Sequence, residues 1–342
     1  MTTRYRPGVL SRFLAWVDDL PYHGWWLFPL LYVLLFVWSH GIVWATGQVP
    51  FGSIHPVLAV GHFYAPYTLA AIALINRASE RALSAFWPAT GWPDEERETW
   101  RFWFVNSRAG YGLATLVVAA VVTVVAFLEA APEAIGPGAN RTVLFAAYVP
   151  SAFLGYWVVL LAFLHTLHQL RLVARIHREA TAIDPFDRVS VYAFSYVTAM
   201  TGVAYVISGY YTLTLNSAFQ AGNPIAIAVL AGVFVIGIAC FFLPLWGIHE
   251  RLVQEKQILV RDVELRLKRL SQEMYRRIDA GEFDGTKVVS DALAGVSDAR
   301  KRIFEVPTWP WRPQVLSGFL SALLLPVAVY LLTRTIGSQL GP

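Results

Sequence analysis

The sequence predicts an all-α polytopic membrane protein with seven transmembrane helices, and three observations lead there. First, the 342 residues are 56% hydrophobic and 15% charged, with a mean hydropathy of +0.50, whereas a soluble domain carries about 25% charged residues. Second, the apolar residues form continuous runs long enough to cross a bilayer, not the short alternating segments of a barrel. Only helices and closed barrels satisfy backbone polar groups in lipid, so the runs read as helices. Third, 25 of the 27 Lys and Arg residues fall in four segments that would all lie on one side of a membrane. Loops rich in Lys and Arg stay cytoplasmic, which places the N-terminus inside and the C-terminus outside, in the plasma (inner) membrane.

Residues 1–24 hold Arg4, Arg6 and Arg12 and read as a cytoplasmic or interfacial helix, with Leu10, Phe13, Leu14 and Val17 near one face. They lack the apolar core of a cleavable signal peptide. Residues 25–247 contain the first six spans with short outer loops. Span one covers about 25–46 and span two about 54–76. The Arg- and Trp-rich stretch 77–108 reads as an inner segment with a short interfacial helix opened by Pro93-Asp94-Glu95-Glu96, acids at its positive end. Span three is about 109–130. Span four starts near Thr142, and its apolar pattern runs on into the cytoplasm until Asp184-Pro185. Span five is about 189–215 and span six about 223–247.

Residues 248–312 form a cytoplasmic helical anchor. Leu252, Leu259, Val263, Leu267, Leu270, Met274 and Ile278 repeat at steps of three, four or seven up to Gly281, and Val289, Leu293, Val296 and Ile303 mark a second amphipathic helix over 286–304. Residues 313–342 hold the last span, about 314–335. The single cysteine, Cys240, excludes an intrachain disulfide framework. The net charge of +4 belongs to the cytoplasmic loops and does not point to nucleic acid.

No phosphate loop, nucleophile constellation or zinc motif is present, so the chain reads as non-enzymatic and free of cofactors. His165 and His168 sit three residues apart, but with no carboxylate or thiol at matching depth they read as interfacial histidines and not as metal ligands. Asn140-Arg141-Thr142 matches a glycosylation triplet. A pocket for a small apolar molecule is suggested by His62 and Tyr64 in span two, Tyr148, Ser151 and Tyr156 in span four, and Tyr205 and Ser208 in span five. Helix packing and an aromatic belt are the simpler alternative. In the last span, Gln314, Ser317, Ser321, Leu325, Ala328, Leu332 and Thr335 step by three or four along one face. Polar or small residues at both ends with leucines between suit a pore that gates by dewetting. Small-residue packing explains the same stripe equally well.

This order of parts resembles the seven-transmembrane ion channel superfamily typified by insect odorant and gustatory receptors. The shared layout is an inside N-terminus, spans four and six extended into the cytoplasm, and a seventh element split into 286–304 and 314–335. The family's terminal signature is absent, since Val329-Tyr330 and Gln339-Leu340 do not match it, so no residue role is transferred. The short Arg- and Trp-rich loops suit a prokaryotic relative. The resemblance implies a homotetramer joined through the cytoplasmic helices, a final helix lining a pore for inorganic cations, and gating by a small apolar ligand. Two rivals remain open: a membrane sensor signalling through its cytoplasmic hairpin, and a transporter of small solutes.

Overall fold

The computed structural model describes residues 4–129, 140–215, 224–324 and Ala328. Among them every regular element is a helix. In chain order these are α1 (Val9–Asp18), α2 (Leu27–Ala45), α3 (Pro56–Thr90), α4 (Arg97–Val105), α5 (Tyr111–Glu129), α6 (Arg141–Glu179), the short α7 (Arg188–Val191), α8 (Ser195–Leu215), α9 (Pro224–Asp279), α10 (Thr286–Phe304) and α11 (Pro313–Leu324). Single 3-10 turns lie at Pro21–Gly24 and Asp94–Glu96.

Among the described residues, five helical segments are long and apolar enough to cross a membrane: Leu27–Ala45, Tyr111–Leu128, Arg141–Glu179, Arg188–Tyr211 and Ala231–Asp279. The chain is therefore an integral membrane protein, and these five correspond to expected spans one, three, four, five and six. The expected second span, about 54–76, lies largely within α3. The described part of the expected seventh span is the shorter apolar helix α11.

α6 and α9 run without a break through the boundaries where their apolar stretches end, as the sequence leads one to expect. α6 opens on Asn140, whose side-chain oxygen accepts from the amides of Thr142 at 3.0 Å and Val143 at 3.4 Å, so the asparagine of the glycosylation triplet serves as a helix cap. At the far end of α6, the Arg251 guanidinium donates to the carbonyls of His177 at 3.0 Å and Ala180 at 2.6 Å. A cation there satisfies otherwise unpaired carbonyls and meets the negative end of the helix dipole.

The stretch 77–108 departs from expectation. α3 continues to Thr90 before Gly91 ends it at φ 71°, a left-handed conformation that glycine adopts without strain. The continuation follows from Ala78, Ala82, Leu83, Phe86 and Trp87, which keep helical spacing and are all buried. Trp100 and Trp103 on α4 are buried too, so this region is core, not interface. Trp87, Trp92, Trp100 and Trp103 form a chain of ring contacts with centroids 5.0–5.9 Å apart. The main core lies at this Arg-rich end, where α1, α3, α4, α6, α8 and α9 meet. The apolar face of α1 (Leu10, Leu14, Val17) belongs to that core, so α1 packs on protein rather than only on lipid.

Small residues allow the closest helix crossings, as expected where lipid removes the hydrophobic drive between helices. A Cβ built on Gly202 of α8 would stand 2.6 Å from the Gly237 carbonyl oxygen of α9 and 2.7 Å from the Phe319 ring of α11. Gly155 of α6 faces the Gly61 carbonyl of α3 in the same way, at 3.3 Å. Beyond the bundle, α9 and α10 form an antiparallel hairpin that buries Val263, Val289 and Ile303. Lys256 on α9 closes it by donating to the carbonyls of Phe304 at 2.7 Å and Val306 at 2.8 Å. A column of stacked rings then leads back to α11: His249 on Trp309 at 3.7 Å, Trp309 on Trp311 at 4.4 Å, Trp311 on Phe241 at 5.4 Å and Phe241 on Phe319 at 4.3 Å.

The Gly202 crossing gives a direct test. Gly202→Val overpacks α8, α9 and α11 together and is expected to lower stability by about 1–3 kcal/mol, measured as the thermal unfolding midpoint in detergent. Gly232→Val is the control, because nothing lies within 4 Å of its Cβ position.

Candidate functional site

Three polar groupings stand out in an otherwise apolar bundle. The first is the outward face of α11. Gln314, Ser317, Ser321 and Ala328 are all exposed, while Phe319 on the other side is buried. Val315 and Leu316 pack with Phe319 against Ala199 and Val203 of α8 and Phe241 and Phe242 of α9. Among the described residues, the helix therefore attaches by one face and leaves its polar face exposed. The Ser317 hydroxyl donates to the Gln314 carbonyl of its own helix, at 3.1 Å. Among the described residues, Ser317 and Ser321 are not covered by another helix. Leu325, Leu332 and Thr335 of the same stripe lie outside the described residues.

The second grouping joins α2, α3, α6 and α8. Ser39 on α2 is buried and lies 3.3 Å from His40 Nδ1 and 3.2 Å from His62 Nδ1, while donating to the Phe36 carbonyl at 3.3 Å. The backbone amide of His55 donates to His40 Nε2 at 3.1 Å. That bond leaves the His40 proton on Nδ1, so Ser39 accepts from both imidazoles. His62 then presents a lone pair on Nε2, which is buried with no hydrogen-bond partner among the described residues. The rings of Tyr32 and Phe36 stand edge-on to it at 5.3 and 5.5 Å.

Of the other residues expected around a ligand, Tyr64 donates to the Ser208 carbonyl at 3.4 Å, and Ser151 lies 3.3 Å from the Cβ position of Gly61. His62, Tyr64, Ser151 and Ser208 are thus brought to adjoining helix faces. The Ser151 hydroxyl donates to the Tyr148 carbonyl at 3.0 Å within α6. Two more phenols cross between α3 and α8, Tyr67 to the Ala204 carbonyl and Tyr211 to the Ala59 carbonyl, both at 2.9 Å. Of the expected pocket residues, Tyr64 thus ties α3 to α8, alongside Tyr67 and Tyr211.

The third grouping lies near the Arg-rich end. Asn76 Oδ1 accepts from His165 Nε2 at 2.9 Å and from Gln169 Nε2 at 2.7 Å, and Gln169 also donates to the Phe104 carbonyl at 2.7 Å. All three side chains are buried. His165 Nδ1 and Gln169 Oε1 are left as acceptors with no partner among the described residues. His165 and His168 do not share a ligand: His165 points to α3, whereas His168 Nε2 lies 3.3 Å from the Tyr5 hydroxyl. No group of three or more potential metal ligands occurs among the described residues. Asn76, Gln169, Ser39 and His40 were not singled out from sequence. The available signal was a polar side chain inside an apolar run, which in a membrane is expensive unless paired.

The two buried imidazole sites differ in a measurable way. Asn76→Leu strands the donors of His165 and Gln169 and is expected to cost about 2 kcal/mol. His62→Phe removes a ring with an unfilled acceptor and is expected to cost less. Thermal unfolding of the two purified variants side by side checks the order.

Comparison with family models, with curated proteins and with solved structures finds no match.

Proposed function

We propose that this chain is the subunit of a homo-oligomeric cation channel, with the α11 face that carries Gln314, Ser317 and Ser321, and Ala328 beyond it, lining the axis. One observation carries the reading: α11 is held by Phe319 and leaves its hydroxyl and amide side chains facing away from its own chain. Polar side chains on a lipid-facing surface are costly, whereas around a water-filled axis they are solvated. A ring of copies provides such an axis, and four is the number implied by the likeness in layout to insect chemoreceptors. Hydroxyl and amide oxygens suit cations that keep part of their hydration shell. The ring column from Trp309 to Phe319 connects the hairpin to α11, and the buried Nε2 of His62 between Tyr32 and Phe36 is a receptor for one donor group on a small, mostly apolar ligand.

In this reading the N-terminus and residues 248–312 are cytoplasmic and the last helix crosses outward. A sensor is favoured instead by the exposed Ile258, Leu265 and Tyr275 along α9, which offer a surface to a signalling partner.

Reconstituted bilayers separate the two. In a Cys240→Ser background, Ser317→Cys and Ser321→Cys are expected to lose most of their current to a water-soluble thiol reagent. Leu316→Cys and Leu323→Cys, on the packed side, are expected to be spared. Leu325→Ser is expected to raise resting conductance. No conductance from either the wild type or Leu325→Ser would sink the channel and leave the sensor.

A further inference from the structure

Residues 1–255 contain 14 Arg and no Lys, while all 4 Lys lie from Lys256 onward, in the hairpin. Arg presents a planar fork that grips phosphate with two parallel bonds, which a Lys ammonium does not do. Several of these arginines have ordinary carboxylate partners: Arg77 with Asp18, Arg101 with Glu80 and Arg175 with Glu179. Arg4, Arg6, Arg108 and Arg171 form no ion pair among the described residues, and all four are exposed.

The N-terminal segment collects them. It runs antiparallel to the loop between α4 and α5: Gly8 N donates to the Ser107 carbonyl at 2.8 Å, and Ala109 N donates to the Arg6 carbonyl at 3.2 Å. The Ser107 amide donates to Ser11 Oγ at 2.7 Å. This pairing sets Arg4 over the Phe102 ring at 5.6 Å and Arg108 over the Tyr5 ring at 5.4 Å. Tyr5 in turn donates to the Asn106 carbonyl and meets His168 of α6. The charges of Arg108 and Arg171 both reach the His168 ring. Burial pushes the Tyr5 hydroxyl up to about 12, against the pull of Arg108, so it stays neutral and cancels no positive charge.

These like charges are gathered at one particular level. Arg108 stands three residues before Tyr111, where a candidate span with mean hydropathy 2.4 begins. The first turn of α5 adds the positive end of a helix dipole. Beyond it, α5 turns Leu113, Val117, Val121 and Leu128 outward, with Leu113 74% exposed. A cationic cluster without counter-charge thus sits directly at the end of an apolar wall.

We propose that Arg4, Arg108 and Arg171 bind the phosphate of an anionic phospholipid whose acyl chains lie along the exposed face of α5. The site is independent of whether α11 lines a pore. Charge complementarity at the bilayer boundary selects an anionic headgroup over a zwitterionic one. The apolar wall selects a lipid over free phosphate.

The test uses the full chain purified in detergent, titrated with dioleoyl phosphatidylglycerol, dioleoyl phosphatidylcholine or inorganic phosphate, and followed by its thermal unfolding midpoint. Phosphatidylglycerol is expected to raise the midpoint and the other two are not. Arg108→Gln/Arg171→Gln is expected to need about thirtyfold more phosphatidylglycerol for half-saturation, as two basic residues near a membrane surface imply. Arg261→Gln/Arg266→Gln in the hairpin is expected to match the wild type. Equal saturation of the wild type and the Arg108/Arg171 variant overturns the site. An equal response to phosphatidylcholine removes the headgroup selectivity, and an equal response to inorganic phosphate assigns the cluster to a soluble anion. If the double variant does not fold, a photoactivatable phosphatidylglycerol on the wild type decides. Adducts within residues 102–113 and 168–175 support the site, and adducts confined elsewhere overturn it.

Discussion

In lipid, every backbone amide must find its partner inside its own helix, and the rest of this structure follows from that constraint. Backbone groups are spent along the helices, so the helices hold one another by close packing and by side chains that reach the second lone pair of a carbonyl. Gly202 against Gly237 and Gly61 against Gly155 are the close approaches. Tyr67 to Ala204 and Tyr211 to Ala59 are the reaching side chains, one from each helix of the pair α3 and α8. The same economy appears at helix ends, where Arg251 covers the open carbonyls of α6 and Lys256 those of α10. Buried polar side chains obey it too: Asn76 serves as a common acceptor for His165 and Gln169 in the core.

Periodicity made the long elements legible. The apolar steps in 252–278 and 289–303 carried enough information to give α9 and α10 nearly to the residue, because a helix in water must show its buried stripe. The end of α3 was misplaced for the opposite reason. Arg77 and Arg81 suggested an exit from the membrane, but a helix leaving lipid need not stop, and Phe86 and Trp87 continue into a protein core. Tryptophans near arginines looked like an interfacial belt, and the burial of Trp100 and Trp103 came from tertiary contacts that a single sequence does not display.

The candidate site was legible in part. Polar residues at helical spacing identified the face of α11 but not the direction in which it points, which depends on Phe319 finding Phe241 and Gly202. The hydroxyl of Tyr64, expected around a ligand, joins α3 to α8 instead, a role that composition alone does not distinguish from ligand contact. Ser39 and His40 escaped notice because they sit in a span whose neighbours are all apolar, and only the fold brings them to His62.

The unbroken passage of α9 from the bilayer into the hairpin has a mechanical consequence. The helix is one lever of 56 residues, and Pro244, which has no amide to bond the Cys240 carbonyl, marks its weakest point for bending. From there to Asp279 the arm is roughly 50 Å long. A tilt of about 5° at that fulcrum moves the far tip by about 4 Å over this length, nearly the pitch of one helical turn. Run in reverse, a tug of that size at the tip arrives in the membrane as a small, stiff rotation, delivered next to the rings that hold α11.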